Sequence, residues 1–511
     1  MNVRIVVFLS AVVLAAIVFS PAQARAAASC ESLTSLALPQ GAITLAQSVA
    51  QGAFKLPEGQ RGNAQLNASL KELPAFCRVA ATLKPTTDSD IKIEVWLPAT
   101  NWNGKFQAVG NGGWGGTINY PDLIEGLTRG YATSSTDTGH TGGNGVFALG
   151  HPEKFNDYAY RSEHEMTVKA KAIIAAFYGN GPKYSYWNGC STGGKMGLVE
   201  VQRFPEDFDG VIAGSQANPR THLNGWQISV AKVAALDKAN VIPQNKYPMI
   251  HEAVMQTCDA LDGVKDGLLS NPMTCKFDPA VLTCKAGDAA SCLTPPQVEM
   301  AKKIMSPAKT KAGLEIFPGF EPGTELGWNY ILGGEVPPNA LDQYRYIVFK
   351  DPNWDWKNFD VERDVAIADR VDDGTVNAVN PDISKFMAHG GKLLMYHGWT
   401  DATVSPRASV NYYNSVLDKM GRNAKTSNAV RLFMVPGMGH CGGGEGPNEF
   451  DSLTALEQWV EKGKAPEQMV ASHLTNGKVD RTRPLCPFPQ FAKYKGTGSI
   501  DDAANFECKA P

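Results

Sequence analysis

The pattern of apolar and polar positions predicts a first group of strands after residue 90. The segment IKIEVWLP (91–98) alternates apolar and polar side chains, which is typical of a half-buried strand. Two further strand-like segments follow, KFQAVGNGG at 105–113 and YATSSTDTGH at 131–140. Residues 31–85 carry few periodic features, and we interpret them as an N-terminal cap.

Helix-like and strand-like segments then alternate along the chain. Apolar residues at helical spacing predict helices over residues 165–178, 195–204 and 409–420. Short apolar runs predict buried strands at 184–189, 208–215, 392–398 and 430–437. This alternation favours an α/β fold in which helices cover the faces of a parallel sheet.

The alternation lapses between residues 216 and 384. This stretch has many prolines, an acidic loop and an aromatic cluster of Trp328, Tyr330, Tyr344, Tyr346, Trp354, Trp356 and Phe359. A chain of 511 residues is also longer than one ordinary domain. We therefore predict an α/β core formed by residues 29–215 and 385–511, the latter including a C-terminal tail, with a lid domain inserted at 216–384.

Residues 1–28 have the composition of a secretory signal. An apolar run from Ile5 to Phe19 follows an early arginine, and small residues from Ala24 to Ala28 offer a cleavage site. The run is shorter than the roughly 20 residues of a membrane-spanning helix, so a cleaved signal is favoured over a retained anchor. We expect a secreted or periplasmic protein with no stable membrane anchor.

The charge balance argues against one class of partner. The chain has 48 basic and 51 acidic residues, a net charge of −3, and no run of like charges. Nucleic acid is therefore not expected as a partner. The sequence gives no indication of the oligomeric state.

Ten cysteines follow the signal segment. An even number in an oxidising compartment predicts five disulfides. Spacing favours four local pairs: Cys30 with Cys77, Cys258 with Cys275, Cys284 with Cys292, and Cys486 with Cys508. A lipoprotein acylated at Cys30 is the rival interpretation, but it would leave an odd number. Cys190 and Cys441 remain, far apart in the chain.

A candidate nucleophile lies between a predicted strand and a predicted helix. The segment GCSTG, residues 189–193, fits the pattern G-x-S-x-G, in which a tight turn exposes the hydroxyl of the central serine, Ser191. An ordinary strand-to-helix turn is the alternative interpretation. The strand before and the helix after favour the nucleophile.

Two later loops contain the partners that such a serine requires. Asp401 follows the predicted strand 392–398, and His440 follows the predicted strand 430–437. Serine, acid and histidine then occur in the chain order expected for this kind of site. His397 is a competitor for a place at the site.

The two remaining cysteines flank the candidate residues. Cys190 precedes Ser191, and Cys441 follows His440. A disulfide between them would bring the serine and the histidine together, because bonded cysteines lie within roughly 7 Å of each other at Cα. Two free buried thiols are the alternative.

Backbone amides are the expected donors to the oxyanion of an acyl-transfer intermediate. One donor should be the N–H of Thr192, which follows the nucleophile and opens the predicted helix. For the second we predict the N–H of Gly110, next to Asn111, in the glycine-rich stretch 108–116. A phosphate-binding loop is disfavoured, because no Lys-Ser or Lys-Thr pair follows.

An acidic loop in the insertion predicts a calcium site. Asp259, Asp262 and Asp266 lie between two cysteines, and converging carboxylates with oxygen-only ligands favour Ca²⁺. The backbone carbonyls of Val264 and Leu268 are candidates to complete the shell. A solvated turn is the alternative. We expect a structural role for the ion, because the loop belongs to the insertion.

These motifs together resemble the tannase and feruloyl esterase family. The resemblance rests on Cys190-Ser191, Asp401 and His440-Cys441, on the D-x-x-D-G-x-x-D-G loop, and on the C-terminal segments RTRPLCPFP and ANFEC. It implies an α/β-hydrolase core with a large lid, a disulfide between Cys190 and Cys441, and hydrolysis of aromatic-acid esters. It also implies the triad Ser191, Asp401 and His440, and the calcium ligands Asp259, Asp262, Val264, Asp266 and Leu268.

The same resemblance indicates the class of substrate. We expect a small ester of a hydroxycinnamic, feruloyl-type acid, with galloyl esters or terephthalate monoesters as alternatives. Arg345 is a candidate partner for an acidic or phenolic group, and the aromatic cluster either covers the substrate ring or forms the lid core. A secreted binding protein that keeps the fold without activity is the alternative of another class.

Overall fold

The computed structural model describes residues 29–58 and 64–510. The signal predicted at residues 1–28 therefore lies outside the described residues. None of the helices within the described ranges is long and apolar enough to cross a membrane.

The strands of the described chain are numbered in sequence order. They are β1 Gly41–Val49, β2 Phe76–Leu83, β3 Ile91–Pro98, β4 Lys105–Val109, β5 Ala132–Thr136, β6 Tyr184–Cys190, β7 Gly210–Gly214, β8 Ala308–Lys309, β9 Glu315–Phe317, β10 Lys392–Gly398, β11 Val430–Val435, β12 Met469–Thr475, β13 Lys478–Leu485, β14 Phe491–Tyr494 and β15 Phe506–Lys509.

The α-helices are numbered in the same way. They are α1 Ala64–Glu72, α2 Tyr120–Thr128, α3 Pro152–Asn156, α4 Ser162–Tyr178, α5 Thr192–Arg203, α6 Arg220–Leu236, α7 Tyr247–Cys258, α8 Pro295–Met305, α9 Asn329–Leu332, α10 Pro338–Asp342, α11 Val361–Asp372, α12 Ser384–His389, α13 Pro406–Met420, α14 Ala424–Ser427 and α15 Ser452–Lys462.

Nine strands form one mixed sheet in the order β1-β2-β3-β5-β4-β6-β7-β10-β11. The pairs from β5 to β11 are parallel, as the alternating pattern predicts, whereas β1, β2, β3 and β5 pair antiparallel. Residues 31–85 are therefore more than a cap, because they supply the two strands at one end of the sheet. Most side chains of β1 are partly or fully exposed, and alternation is confined to its first half, where the register shifts between Ile43 and Leu45. This edge strand therefore has a weaker apolar pattern than the inner strands.

Helices cover both faces of the sheet. Tyr186 and Trp187 of β6 are fully buried in two different core clusters, because successive side chains of a strand point to opposite faces. The cluster around Trp187 includes Ile173 of α4, and the cluster around Tyr186 includes Trp459 of α15. These layers fix the carboxyl ends of the parallel strands, where the candidate site lies.

The insertion predicted at 216–384 falls between two neighbouring strands. β7 and β10 pair in parallel, although the helices from α6 to α12 and the β8–β9 hairpin separate them in sequence. The inserted segment has its own apolar core, which includes Trp226, Trp328 and Tyr344.

All five predicted disulfides are present in the structure. The four local pairs form as the spacing indicates. Cys190 and Cys441 form the fifth, with their Cα atoms 5.9 Å apart across 251 residues of sequence. The alternative of two free buried thiols is therefore wrong.

Candidate active site

The candidate nucleophile lies on a sharp turn between β6 and α5. Ser191 has φ 62° and ψ −121°, a conformation that is strained for a residue with a side chain. The turn closes tightly, because a Cβ atom on Gly189 would lie 2.4 Å from the carbonyl oxygen of Gly193. The two glycines of the motif therefore permit a turn that holds the serine between strand and helix.

Ser191, His440 and Asp401 form one hydrogen-bonded chain. His440 Nε2 lies 2.9 Å from Ser191 Oγ, and His440 Nδ1 lies 2.7 Å from Asp401 Oδ2. Asp401 comes from the loop after β10 and His440 from the loop after β11. The structure thus brings together the three residues that the sequence predicts for the triad.

Asp401 is fully buried and held from several sides. Its Oδ1 accepts the backbone N–H of Thr403 at 2.7 Å and that of Val404 at 3.0 Å. These bonds orient the carboxylate so that Oδ2 faces the histidine.

His397 contacts the same carboxylate oxygen of Asp401 as His440 does. Its Nε2 lies 2.9 Å from Asp401 Oδ2 and 3.1 Å from the carbonyl of Val404, so this nitrogen carries the proton. Its Nδ1 accepts from the hydroxyl of Ser409 at 2.5 Å. His397 therefore orients the acid of the site, and it does not take the place of His440.

The electrostatics of the pair suit a base and its orienting acid. Burial alone would raise the pKa of Asp401, but the charge of His440 and hydrogen bonds from His397 and His440 outweigh it and hold that pKa well below its usual value. Burial alone would lower the pKa of His440, but the charge and hydrogen bond of Asp401 raise it above its usual value. Asp401 thus remains ionised and favours a protonated His440.

The Cys190–Cys441 disulfide joins the two loops of the site. Cys190 ends β6 directly before Ser191, and Cys441 directly follows His440. Cys441 has φ 63°, so the backbone turns sharply beside the histidine. The disulfide fixes the serine loop to the histidine loop by a covalent bond.

The structure corrects one of the two predicted oxyanion donors. Thr192 begins α5, so its N–H belongs to the first turn, which has no acceptor within the helix. The N–H of Gly110 donates to the carbonyl of Asn188 at 3.0 Å, as part of the pairing between β4 and β6. Gly110 is instead required for close packing, because a Cβ there would lie 2.5 Å from Gly193 Cα.

A cleft of about 740 Å³ opens over the serine. Core residues of its wall include Asn111, Asp122 and Tyr396, and burial raises the pKa of Asp122 to about 6. The lid contributes Arg220, Leu223, Asn224, Gln227, Tyr330 and Asn339. The cleft is thus formed jointly by core and lid.

Two predictions about the substrate pocket change. Arg345 is not among the residues that line the cleft; its guanidinium lies 6.0 Å from the ring of Tyr346. Of the aromatic cluster, Tyr330 lines the cleft, whereas Trp328, Tyr344 and Phe359 are buried in the lid core. Sequence reasoning missed Arg220, because no local pattern distinguishes a buried arginine from a surface one.

The acidic loop follows α7 and is closed by the Cys258–Cys275 disulfide. Asp259 and Asp262 accept backbone N–H bonds from their own loop, and Asp266 pairs with Arg483 at 2.6 Å. Burial raises the pKa of Asp262 to about 6. Within the described ranges, no three acidic, histidine or cysteine side chains are grouped as a metal site, so calcium stays a prediction.

The fold and the site define a class of protein. A serine on a strand-to-helix turn, with histidine and acid on loops after later strands of a largely parallel sheet, is the arrangement of α/β-hydrolases that use a serine nucleophile.

The sequence comparisons are specific. Residues 77–509 match the family model described as tannase and feruloyl esterase. The chain is 37% identical to an uncharacterized esterase of Xanthomonas campestris, over 95% of this chain and 92% of that protein. It is 35% identical to a probable feruloyl esterase B-1 of Aspergillus oryzae, over 85% of this chain and 84% of that protein.

The structural comparisons agree with them. Feruloyl esterase B from Aspergillus oryzae superimposes with a TM-score of 0.88 at 32% identity, over 94% of this chain and 99% of that chain. Tannin acyl hydrolase from Aspergillus niger shares the fold, with a TM-score of 0.77 at 22% identity over 92% of each chain. The protein belongs to the tannase and feruloyl esterase family, and it is a carboxylic ester hydrolase.

Proposed function

We propose that the protein is a secreted serine esterase that releases aromatic, feruloyl-type acids from their esters through an acyl-enzyme. The observation that carries this proposal is the hydrogen-bonded chain from Ser191 through His440 to Asp401, whose Ser191 and His440 line a cleft large enough for a small ester. The relatives named feruloyl esterase B support the choice of acid.

The first half of the reaction forms the acyl-enzyme. His440 Nε2 takes the proton of Ser191 as the serine oxygen attacks the ester carbonyl carbon, and Asp401 stabilises the imidazolium that results. The tetrahedral intermediate collapses, and His440 gives the proton to the alcohol that leaves.

The second half releases the acid. Water enters the position of the alcohol, His440 takes a proton from it, and the hydroxide attacks the acyl carbonyl. Ser191 then leaves as the hydroxyl, reprotonated by His440, and the aromatic acid dissociates.

The oxyanion of both steps requires two backbone donors. We assign them to the N–H of Thr192 and the N–H of Asn111, which follows Gly110 in the cleft wall. Within the described residues, the N–H of Asn111 has no intramolecular acceptor, in contrast to that of Gly110. Both donors are rigid, since one belongs to a helix start and the other to a packed glycine turn.

The cleft also supports an aromatic acyl group with polar ring substituents. Tyr330 offers an aromatic ring. Asn224 Nδ2 and Gln227 Oε1, also on cleft residues, are buried without a hydrogen-bond partner among the described residues. A phenolic hydroxyl could donate to Gln227 Oε1, and a phenolic or methoxy oxygen could accept from Asn224 Nδ2.

The substrate class is tested by a panel of methyl ferulate, methyl gallate and a terephthalate monoester. We expect the highest kcat/KM for methyl ferulate and no turnover of any ester by Ser191→Ala, whose circular dichroism should match that of the wild type. Higher kcat/KM for the gallate or the terephthalate ester would replace the feruloyl assignment. Turnover by the Ser191→Ala variant would refute the site.

Secretion is supported by the five disulfides, which form in oxidising compartments. N-terminal sequencing of protein recovered from periplasm or medium should find a start after one of the residues Ala24 to Ala28. A mature chain that begins at Met1 would contradict a cleaved signal.

We also propose that the acidic loop binds structural Ca²⁺ through the carboxylates of Asp259, Asp262 and Asp266 and the carbonyls of Val264 and Leu268. All five donors are oxygen atoms, the ligand type that Ca²⁺ prefers. Burial, with a smaller effect of the Asp266 charge, raises the pKa of Asp262 to about 6, and a bound cation would oppose both effects.

A further inference from the structure

Arg220, the first residue of α6, lies in the cleft wall beside the nucleophile turn. It is 4% exposed and its guanidinium stacks 4.3 Å over the ring of Trp114. Among the described residues, the hydrogen bonds of this guanidinium reach three uncharged oxygens: Thr192 Oγ1 at 3.3 Å, the Gly113 carbonyl at 3.4 Å and Gln343 Oε1 at 3.3 Å. Its Nη2 has no partner among the described residues.

This cation is not neutralised by the protein around it. Within the described part of the chain, no carboxylate forms an ion pair with Arg220, although a buried charge is costly without one. The charge of Arg220 also acts on Lys195 in α5. Burial lowers the pKa of Lys195 to about 8; the charge of Glu163 opposes this shift, and the charge of Arg220 adds to it. An unneutralised cation at an active site favours negative charge that appears nearby.

The contacts of Arg220 join the two sides of the assigned oxyanion hole. The carbonyl of Gly113, in the same glycine loop as Asn111, accepts from Thr192 Oγ1 at 2.8 Å, from the Tyr158 hydroxyl at 2.9 Å and from Arg220 Nη1. Arg220 Nη1 also reaches the Thr192 hydroxyl. One guanidinium nitrogen thus contacts both segments whose N–H groups we assign to the oxyanion hole.

We propose that Arg220 is a positioning residue of the oxyanion hole, which fixes Thr192 against the glycine loop and adds unneutralised positive charge beside the developing oxyanion. This inference rests on the proposed function and deepens it. Because the charge on the oxygen is largest in the transition state, loss of Arg220 should affect kcat much more than substrate binding.

The test compares Arg220→Met and Arg220→Lys with the wild type on 4-nitrophenyl acetate and methyl ferulate. We expect kcat to fall roughly 10- to 100-fold in Arg220→Met with KM within about twofold, less than the loss of a direct oxyanion donor. Arg220→Lys should recover part of kcat, since it keeps the charge without the planar fork. Phenylboronic acid forms a tetrahedral adduct with serine. It should bind to Arg220→Met more weakly than to wild type, by the same factor by which kcat/KM falls, whereas the affinity for ferulate should not change.

Arg78→Met is the matched control. Arg78 also lies over an aromatic ring, that of Phe54 at 5.2 Å, but it pairs with Glu94 and does not line the cleft. Its loss should lower the melting temperature without changing kcat. This separates a loss of stability from a loss of positioning.

Three results would overturn the proposal in an enzyme whose wild type is active. The first is a kcat of Arg220→Met within threefold of wild type. The second is a ferulate affinity of Arg220→Met that falls by the same factor as its kcat/KM.

The third comes from a double-mutant cycle in kcat with Arg220→Lys and Thr192→Val, which is used if Arg220→Met does not fold. The proposal predicts non-additive effects of these two substitutions, and strict additivity contradicts it. A wild type that hydrolyses no ester refutes the proposed function itself.

Discussion

At the scale of single residues, Asp401 determines how His440 behaves. It is buried and accepts hydrogen bonds from two histidines and two backbone amides. Removal of its charge while the hydrogen-bonding shape is kept therefore tests the electrostatic part of the mechanism.

Asp401→Asn should lower kcat by roughly 10⁴-fold, because the amide stabilises the wrong tautomer and no longer stabilises the imidazolium. His440 must be neutral to act as a base, so kcat/KM of the wild type should fall as pH drops through its raised pKa. Without the carboxylate that pKa decreases, and the acidic limb should move to lower pH. The pH profiles of kcat/KM for wild type and Asp401→Asn measure both effects. If the acidic limb lies at the same pH in the two profiles, Asp401 does not set the pKa of His440.

At the scale of elements, the site depends on how the loops after β6 and β11 are joined. Ser191 and His440 approach within hydrogen-bond distance across 249 residues of sequence. The Cys190–Cys441 disulfide is the covalent link between these loops.

Replacement of Cys190 and Cys441 by serine should reduce kcat by roughly 10- to 100-fold, since small displacements of catalytic groups are costly, and destabilise the fold by about 2–5 kcal/mol. Ester turnover and urea unfolding measure the two effects. Serine at Cys284 and Cys292, a lid pair only 8 residues apart, is the control and should keep full kcat. A fully active Cys190/Cys441 variant would show that the link is not needed.

The acidic loop is a second element whose role can be measured. If it holds Ca²⁺, removal of the ion with EDTA should lower the melting temperature, and added Ca²⁺ should restore it. Untreated Asp262→Asn should have the same lowered melting temperature as the EDTA-treated wild type, and neither EDTA nor Ca²⁺ should change it much. Metal analysis that finds no calcium, together with a melting temperature indifferent to EDTA, would contradict the calcium proposal.

At the scale of the whole molecule, the lid is tied to the core beside the site. His251 of α7 contacts Glu325 in the lid at 2.9 Å and Glu445, in the loop after His440, at 3.2 Å. Burial alone would lower the pKa of His251, but the two carboxylates raise it to about 9. The lid is thus held to the histidine loop by a charged group.

The pH dependence of this contact has a definite sign. The folded-state pKa of His251 exceeds its ordinary value, so its stabilisation is fully present below the ordinary value and is lost as pH rises through about 9. His251→Gln should therefore destabilise the protein at about pH 6 and have little effect near pH 10. Urea unfolding at both pH values measures this, and an equal loss at both would contradict the charged contact.

The sequence predicts the site residues well where they lie on the loop after a buried strand. Ser191, Asp401 and His440 lie on the loops after β6, β10 and β11. Each of these strands has a buried apolar run that is visible without a structure, and parallel strands place their carboxyl ends together. For the same reason β3, β10 and β11 occur where the pattern predicts them. The even number of cysteines then limits how the loops can be joined.

The remaining features depend on contacts between distant segments. β1 is a largely exposed edge strand, and its alternation covers only a few residues beside a register shift between Ile43 and Leu45. The N–H of Gly110 is occupied by the sheet, which depends on the register between β4 and β6. Arg220 and Arg345 look alike in sequence, yet only Arg220 lines the cleft. Such differences arise when the lid packs on the core.

The central claim, that Ser191 is the nucleophile of an ester hydrolase, is tested most directly by covalent labelling. Intact-mass measurement after treatment with a fluorophosphonate should show one added group per chain, and peptide mapping should place it on Ser191. The loss of ester hydrolysis should be proportional to the fraction of chains labelled. Ser191→Ala should resist labelling, and so should wild type when substrate occupies the site. An unlabelled wild type, or a label on another residue with hydrolysis lost, would contradict the account.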